Sequence, residues 1–374
     1  MHLRHLLALS LLGLIGSSTA LAQISPPSPA PISAAEQNEV VATLGQQLKS
    51  QYVFPDVAAK TAAALSARTA RGDYRDANTT TAFAMVLSKD LRSIGNDRHF
   101  AVKYAPDSSP PPHDDKNAGE KAPTPEEIAK MIAQMQSASA RESYGISRVQ
   151  LLPGDVSYID LQSFGHPEIV GAAYDSAMAL VAGTKALILD LRQNHGGEPD
   201  GVAYLLSHFF DEGDARHLND VYYRADNSTH QFWTIPSAMP RFTGPIYVLT
   251  SHHTGSAAEE CAYDLQTQKR ATLVGETTVG AANPGGWFPL GHGFMAFISG
   301  ARAINPITKT NWEHVGVKPD VAVPAASSLK VAYVTILNDL LKKSKDADKQ
   351  TGLKNILARV QSGTFQLAAY YPPH

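Results

Sequence analysis

The chain has 374 residues and a single cysteine, Cys261, so no disulfide can form within it and the fold must be held by its core. Its formal charge is only −3 at pH 7, which gives no electrostatic reason to expect nucleic acid or an anionic membrane as a partner. Beyond the N-terminus no apolar run is long enough to span a bilayer. His-Glu-x-x-His and cysteine clusters are missing, and the neighbours His252 and His253 point in different directions, so neither a metal nor another cofactor is expected. Cys261 falls on the apolar side of a predicted helix and is expected to be a small core residue.

What is present begins with His2, Arg4 and His5 ahead of an apolar run from Leu6 to Ile15, then Ala20-Leu21-Ala22. That order predicts a signal peptide over 1–22, cleavage near Ala22 and export to a periplasmic or extracellular space, with no membrane attachment afterwards. Residues 23–32 are a proline-rich linker. Ser33-Ala-Ala-Glu36 is a capping box before the apolar stripe Val40, Val41, Leu44 and Leu48; two further helical patterns follow, the last carrying Phe83, Val86, Leu87 and Leu91. The spacing predicts an N-terminal helical domain over 33–95.

From residue 96 to residue 326 the chain reads as an α/β core, interrupted by a proline-rich loop over 105–124; residues 327–374 read as a C-terminal helical segment. After the loop, Thr124-Pro125-Glu126-Glu127 starts a helix with Ile128, Met131, Ile132 and Met135 on one face, suited to packing or to a lid. Strands and helices then alternate, including the buried strand Ala186 to Leu191, and ligands in such layered folds gather at the carboxyl ends of the strands.

Two turns stand at such ends. Ile246 to Thr250 reads as a strand, SHHTG as a turn, and Ala258, Cys261, Ala262 and Leu265 as a helical stripe, so a strand becomes a helix at Ser256. The ordinary role there is an N-cap; the other is a nucleophile whose oxyanion would meet the free N–H groups and positive dipole of the helix start. The second turn contains Gly196 and Gly197, where a backbone N–H can face a cleft without Cβ obstruction. With the N–H of Ala257 it would make a two-donor oxyanion hole. His195, His252 and His253 lie close enough in sequence to line the same cleft.

ALILDLRQNHGG (186–197), TSHHTGSAAEE (250–260) and VGETTVG (274–280) together resemble the tail-specific, or C-terminal processing, peptidase family. The resemblance is strongest to its interphotoreceptor retinoid-binding and tricorn-like branch. It implies a ClpP/crotonase-like layered fold, a serine-type peptidase acting on peptide or protein substrates, and Ser256 as nucleophile. The lysine of the dyad branch would stand 25 positions after the nucleophile, where this chain has Ala281. The tricorn-like arrangement instead implies His99 as general base and Glu313 as the carboxylate orienting it. The residue before His99 is Arg98 rather than the serine of that pattern, which makes Asp97 a rival orienter. The stretch of about 50 residues from Ala105 to Pro153, where many members of that family carry a PDZ domain, is too short and proline-rich for one. Because retinoid-binding relatives carry lipophiles, the alternative expectation is a non-catalytic peptide- or lipophile-binding module on the same fold.

Overall fold

The computed structural model describes residues 29–106, 124–236 and 238–365. The signal segment and most of the linker and proline-rich loop expected from the sequence lie outside the described residues. In chain order the helices are α1 (Ala34–Gln51), α2 (Pro55–Arg71), α3 (Thr80–Gly95), α4 (Pro125–Arg141), α5 (Pro167–Val181), α6 (Pro199–Ser207), α7 (Ala257–Thr267), α8 (Ala325–Lys343) and α9 (Ala347–Gln361). The strands are β1 (Ala101–Tyr104), β2 (Ile146–Leu152), β3 (Val156–Leu161), β4 (Ala186–Asp190), β5 (His217–Tyr223), β6 (Ser228–Trp233), β7 (Ile246–Thr250), β8 (Ala271–Gly275), β9 (Gly286–Gly291), β10 (Phe294–Ile298), β11 (Ala301–Ile304) and β12 (Val321–Ala322).

The chain divides into two compact units. The first contains residues up to Gln134 together with Val221–His230 and Asn283–Ala303; the second contains Met135–Asp220, Gln231–Ala282 and Ile304–His374.

In the first unit, helix α1 starts where its sequence says it should. The Glu36 carboxylate accepts the Ser33 N–H at 2.8 Å and the Ser33 hydroxyl accepts the Glu36 N–H at 3.3 Å, which satisfies two donors at the helix start. Val40, Val41, Leu44 and Leu48 then pack into one cluster with Phe83, Leu87 and Leu91 of α3. Each fully buried leucine contributes roughly 1.5–3 kcal/mol by leaving water. Val86 stays exposed, on the far side of α3. The same core takes in Phe294, Ala296 and Ile298 from much later in the chain, because β10 pairs antiparallel with both β1 and β9. None of the residues of α4 is fully buried.

The second unit is built on a six-stranded sheet ordered β12-β8-β7-β4-β3-β2. Only the β2–β3 pairing is antiparallel; the rest of the sheet runs parallel, from Val156 opposite Ala186 to Val321 opposite Val274. Strands β3, β4 and β7 are buried along their whole length, as parallel strands covered on both faces must be. Leu329, Tyr333, Ile336 and Leu337 of α8 pack with Tyr158, Ile188, Leu249 and Val274 of the sheet. The layered α/β core and the helical N-terminal region expected from the sequence are both present. No helix among the described residues is long and apolar enough to cross a membrane.

Candidate active site

Parallel strands β4 and β7 are neighbours, so the turns leaving their carboxyl ends lie side by side. Buried polar groups fasten them together. The Ser251 hydroxyl donates to the Arg192 carbonyl at 2.6 Å, and the Thr254 hydroxyl to that of Leu191 at 2.8 Å. Asn194, fully buried, receives the Gly255 N–H on its backbone oxygen at 3.0 Å and the Gly196 N–H on its side-chain oxygen at 2.8 Å. Its amide donates to the Leu161 carbonyl at the end of β3, also at 3.0 Å. Beneath the turn, Arg192 and Asp190 form a buried ion pair that accepts the Tyr158 hydroxyl, and Arg192 also donates to the Ala325 carbonyl.

Ser256 occupies the N-cap position of α7 with φ 55° and ψ −124°. An ordinary N-cap residue is extended, with negative φ, so this serine is held in a sparsely populated conformation. Surroundings that over-determine it are at hand. The Glu259 carboxylate accepts the Ser256 N–H at 3.0 Å, the Gly280 N–H at 2.6 Å, the Ala281 N–H at 2.9 Å and the Thr278 hydroxyl. Glu259 is fully buried, which pushes its carboxyl up to about 7, while its four donors pull the other way. Sequence reasoning assigned Glu259 nothing; the visible signal was Ser256-x-x-Glu259, the spacing of a capping box.

The glycines of the neighbouring turn are obligatory. Gly196 has φ 111°, and a Cβ there would stand 2.7 Å from Ser256 Cβ and 3.0 Å from Ala257 N. Gly197 has φ 136°, and a Cβ there would lie 2.0 Å from the Phe164 carbonyl oxygen. The Gly196 N–H is committed to Asn194. Those of Gly197 and Ala257 have no acceptor among the described residues. The turn therefore offers a new bond partner two donors, Gly197 and Ala257, with Gly196 supplying clearance beside the serine.

Glu313 belongs to the same unit. One of its oxygens accepts the Ala282 N–H at 2.6 Å, and the Trp312 indole donates to the Ala281 carbonyl at 3.0 Å. Segments 278–282 and 312–316 are thus laced together, and Glu259 fastens the first of them to Ser256. Around the turns, the His252 and His253 rings lie 4.0 Å apart and those of His195 and His253 6.3 Å apart. His252 Nδ1 is 2.8 Å from Glu276, whose other oxygen accepts the Ala325 N–H at 3.0 Å.

In the first unit His99 lies beside Asp97 and its ring stacks on Phe297, centroids 5.8 Å apart. Burial lowers the His99 pKa from the ordinary imidazole value, and the Asp97 charge partly opposes this. Asp97 Oδ1 accepts the His99 backbone N–H at 2.9 Å but stands 3.9 Å from His99 Nδ1, too far for a hydrogen bond. Its other oxygen receives the Asn283 amide at 3.4 Å.

Comparison with known proteins agrees with this architecture. The model of Peptidase family S41 matches residues 155–323, and the model described as the N-terminal domain of Peptidase S41 in eukaryotic IRBP matches residues 34–140. The chain belongs to peptidase family S41. It is similar to the carboxyl-terminal-processing peptidase 2, chloroplastic, of Arabidopsis thaliana, with 31% identity over 193 residues, 48% of this chain and 35% of that protein. It is also similar to the carboxy-terminal-processing protease of Bartonella bacilliformis, with 26% identity over 230 residues, 58% of this chain and 51% of that protein. The chain spans about a third to a half of the length of these relatives. Among solved structures, mature CPAF shares the fold, with a TM-score of 0.54 at 12% identity over 88% of this chain and 96% of that one.

Proposed function

We propose that this protein is an exported serine peptidase that cleaves peptide bonds through an acyl-enzyme on Ser256. The observation that carries the proposal is the conformation of Ser256: a non-glycine residue held at φ 55° on a strand-to-helix turn, beside a glycine that leaves room for it. A plain helix cap requires none of this. His99 is assigned as general base and Glu313 as the carboxylate that orients it, because these are the residues the family's tricorn-like pattern selects and Ala281 removes the lysine alternative. Export rests on the sequence pattern of residues 1–22.

In the proposed reaction the Ser256 hydroxyl attacks the scissile carbonyl as its proton passes to His99. The N–H groups of Gly197 and Ala257 stabilise the developing oxyanion; a single such donor is worth roughly 10²–10³-fold in kcat. His99 returns the proton to the departing amine, and a water activated by the same imidazole releases the acyl group.

Labelling with a fluorophosphonate tests the nucleophile, followed by hydrolysis of a quenched-fluorescent peptide library. The native chain labels and turns over; Ser256→Ala does neither, losing roughly 10⁴- to 10⁶-fold in turnover while keeping its circular dichroism spectrum. Unchanged turnover in Ser256→Ala overturns the assignment. A native chain that neither labels nor cleaves, yet binds peptides or a lipophile, is instead a binding module on this fold.

A further inference from the structure

The first unit carries a groove of about 790 Å³ between helix α3 and strand β1, to which neither the family match nor the proposed chemistry gives a role. Its floor is Ala84, Ser88 and Val102; the Ser88 hydroxyl caps the strand edge, accepting the Val102 N–H at 2.7 Å and donating to the Val102 carbonyl at 2.9 Å. Met85, 68% exposed, and Tyr104 add apolar surface at its walls.

Four cations converge on this groove from three separate pieces of chain: Lys89 and Arg92 from α3, Arg98 from the following turn and Lys103 from β1. Among the described residues no carboxylate lines it, and none of the four forms an ion pair. The Arg92 Nε donates to the Phe100 carbonyl, which fixes the guanidinium plane, and the Lys103 ammonium stands 4.1 Å over the Trp287 ring. Cations in the last turn of a helix complement its dipole, which accounts for Arg92, and the Trp287 ring faces the Lys103 ammonium; Lys89 and Arg98 are left without such an explanation. In a protein of net charge −3, four cations around one concavity, with no ion-pair partner among the described residues, are a local reversal of sign. The apolar floor and walls suit side chains of an extended peptide better than the evenly spaced phosphates of a nucleic acid.

We propose that this groove binds an acidic stretch of the polypeptide substrate, a docking site separate from the bond that is cut. The proposal rests on the peptidase assignment above for the nature of the partner, but its test does not require turnover.

Fluorescence anisotropy would be measured on the full-length Ser256→Ala chain with a labelled peptide of about ten residues rich in Asp and Glu, and with its Asn and Gln counterpart, at low and high NaCl. The expected result is at least about tenfold tighter binding of the acidic peptide, weakening as salt screens the charges. The double variant Lys89→Glu, Arg98→Glu should lose about tenfold or more, with amide exchange protection on binding confined to residues 81–104. Should the double variant fold poorly, Lys89→Gln alone, checked by thermal melting, should still weaken the acidic peptide selectively. Equal affinity for the two peptides, undiminished binding by the variants, or protection elsewhere overturns the proposal, as does equally tight binding of single-stranded DNA. Failure here leaves the fluorophosphonate result standing, and failure of labelling leaves this binding measurable.

Discussion

The Glu259 carboxylate accepts the backbone N–H of Ser256 at 3.0 Å while its other oxygen gathers the Thr278 hydroxyl and the Gly280 N–H. One buried side chain therefore fixes the turn that presents Ser256 and the segment whose next residues, Ala281 and Ala282, lead to Glu313. Glu259→Gln keeps the size but turns one acceptor into a donor facing other donors, at a cost of about 1–3 kcal/mol per unsatisfied buried group. We expect kcat, and with it the rate of fluorophosphonate labelling, to fall by roughly 10- to 100-fold through displacement of the serine. KM should change far less. Native kcat in this variant would show that Glu259 merely fills space.

Gly196→Ala should also disable the site, for a steric reason. The added methyl carbon meets Ser256 Cβ at 2.7 Å at a φ that L residues rarely adopt, a strain of about 1–3 kcal/mol. Gly183→Ala is the control, because nothing lies within 4 Å of a Cβ there. Labelling by fluorophosphonate should drop steeply in the first and remain native in the second; equal labelling of both would refute the close approach.

The pH profile of kcat/KM reports on the base. His99 is held below its ordinary value by burial, so the neutral imidazole persists to lower pH and the acid limb should lie below pH 6.5. The Asp97 charge raises the His99 pKa, so Asp97→Asn should move the limb further toward acid. A limb at or above 6.5, or one that moves toward alkaline pH in that variant, contradicts the assignment of His99.

Helix α7 carries a second, unrelated consequence of burial. Glu260 is pushed up to about 7, first by desolvation and then by the Asp200 charge, and Asp264 one turn on is raised well above its ordinary range. A carboxyl whose folded pKa is raised binds more protons folded than unfolded, so its stabilising contribution is full below the unfolded value near 4.3 and is lost as pH rises toward 7. Glu260→Gln, neutral at every pH, should flatten the fall of thermal stability between about pH 4.5 and pH 7 relative to the native chain. Parallel melting curves for the two proteins across that range would refute the buried titration.

Much of this was legible in sequence because it is local. The capping box at Ser33, the strand-turn-helix at 246–267, the strand β3 and the apolar run of β4 each follow from neighbouring residues. Strands β5 and β6 escaped because their faces are only partly buried, so polar and apolar residues mix without a clean period. Strand β10 was visible, but not its enlistment with Asn283–Ala303 into the first unit beside helices some 200 residues earlier. Asn194 and Glu259 escaped as well: Asn194 bonds to three separate segments, and the capping-box spacing of Ser256 and Glu259 gave no sign of the bonds to Thr278, Gly280 and Ala281.

The order of residues by itself determined most of the helices and the buried strands of the parallel sheet, the single-cysteine core and the family-like motifs that drew attention to Ser256, His99 and Glu313, because periodicity and short motifs act over a few residues. Only the tertiary structure decided that Ser256 sits at a positive φ, that Gly196 gives it space and spends its own N–H on Asn194, and that four cations surround one groove. Those facts depend on contacts between segments far apart in the chain, where packing rather than local preference sets each angle and distance.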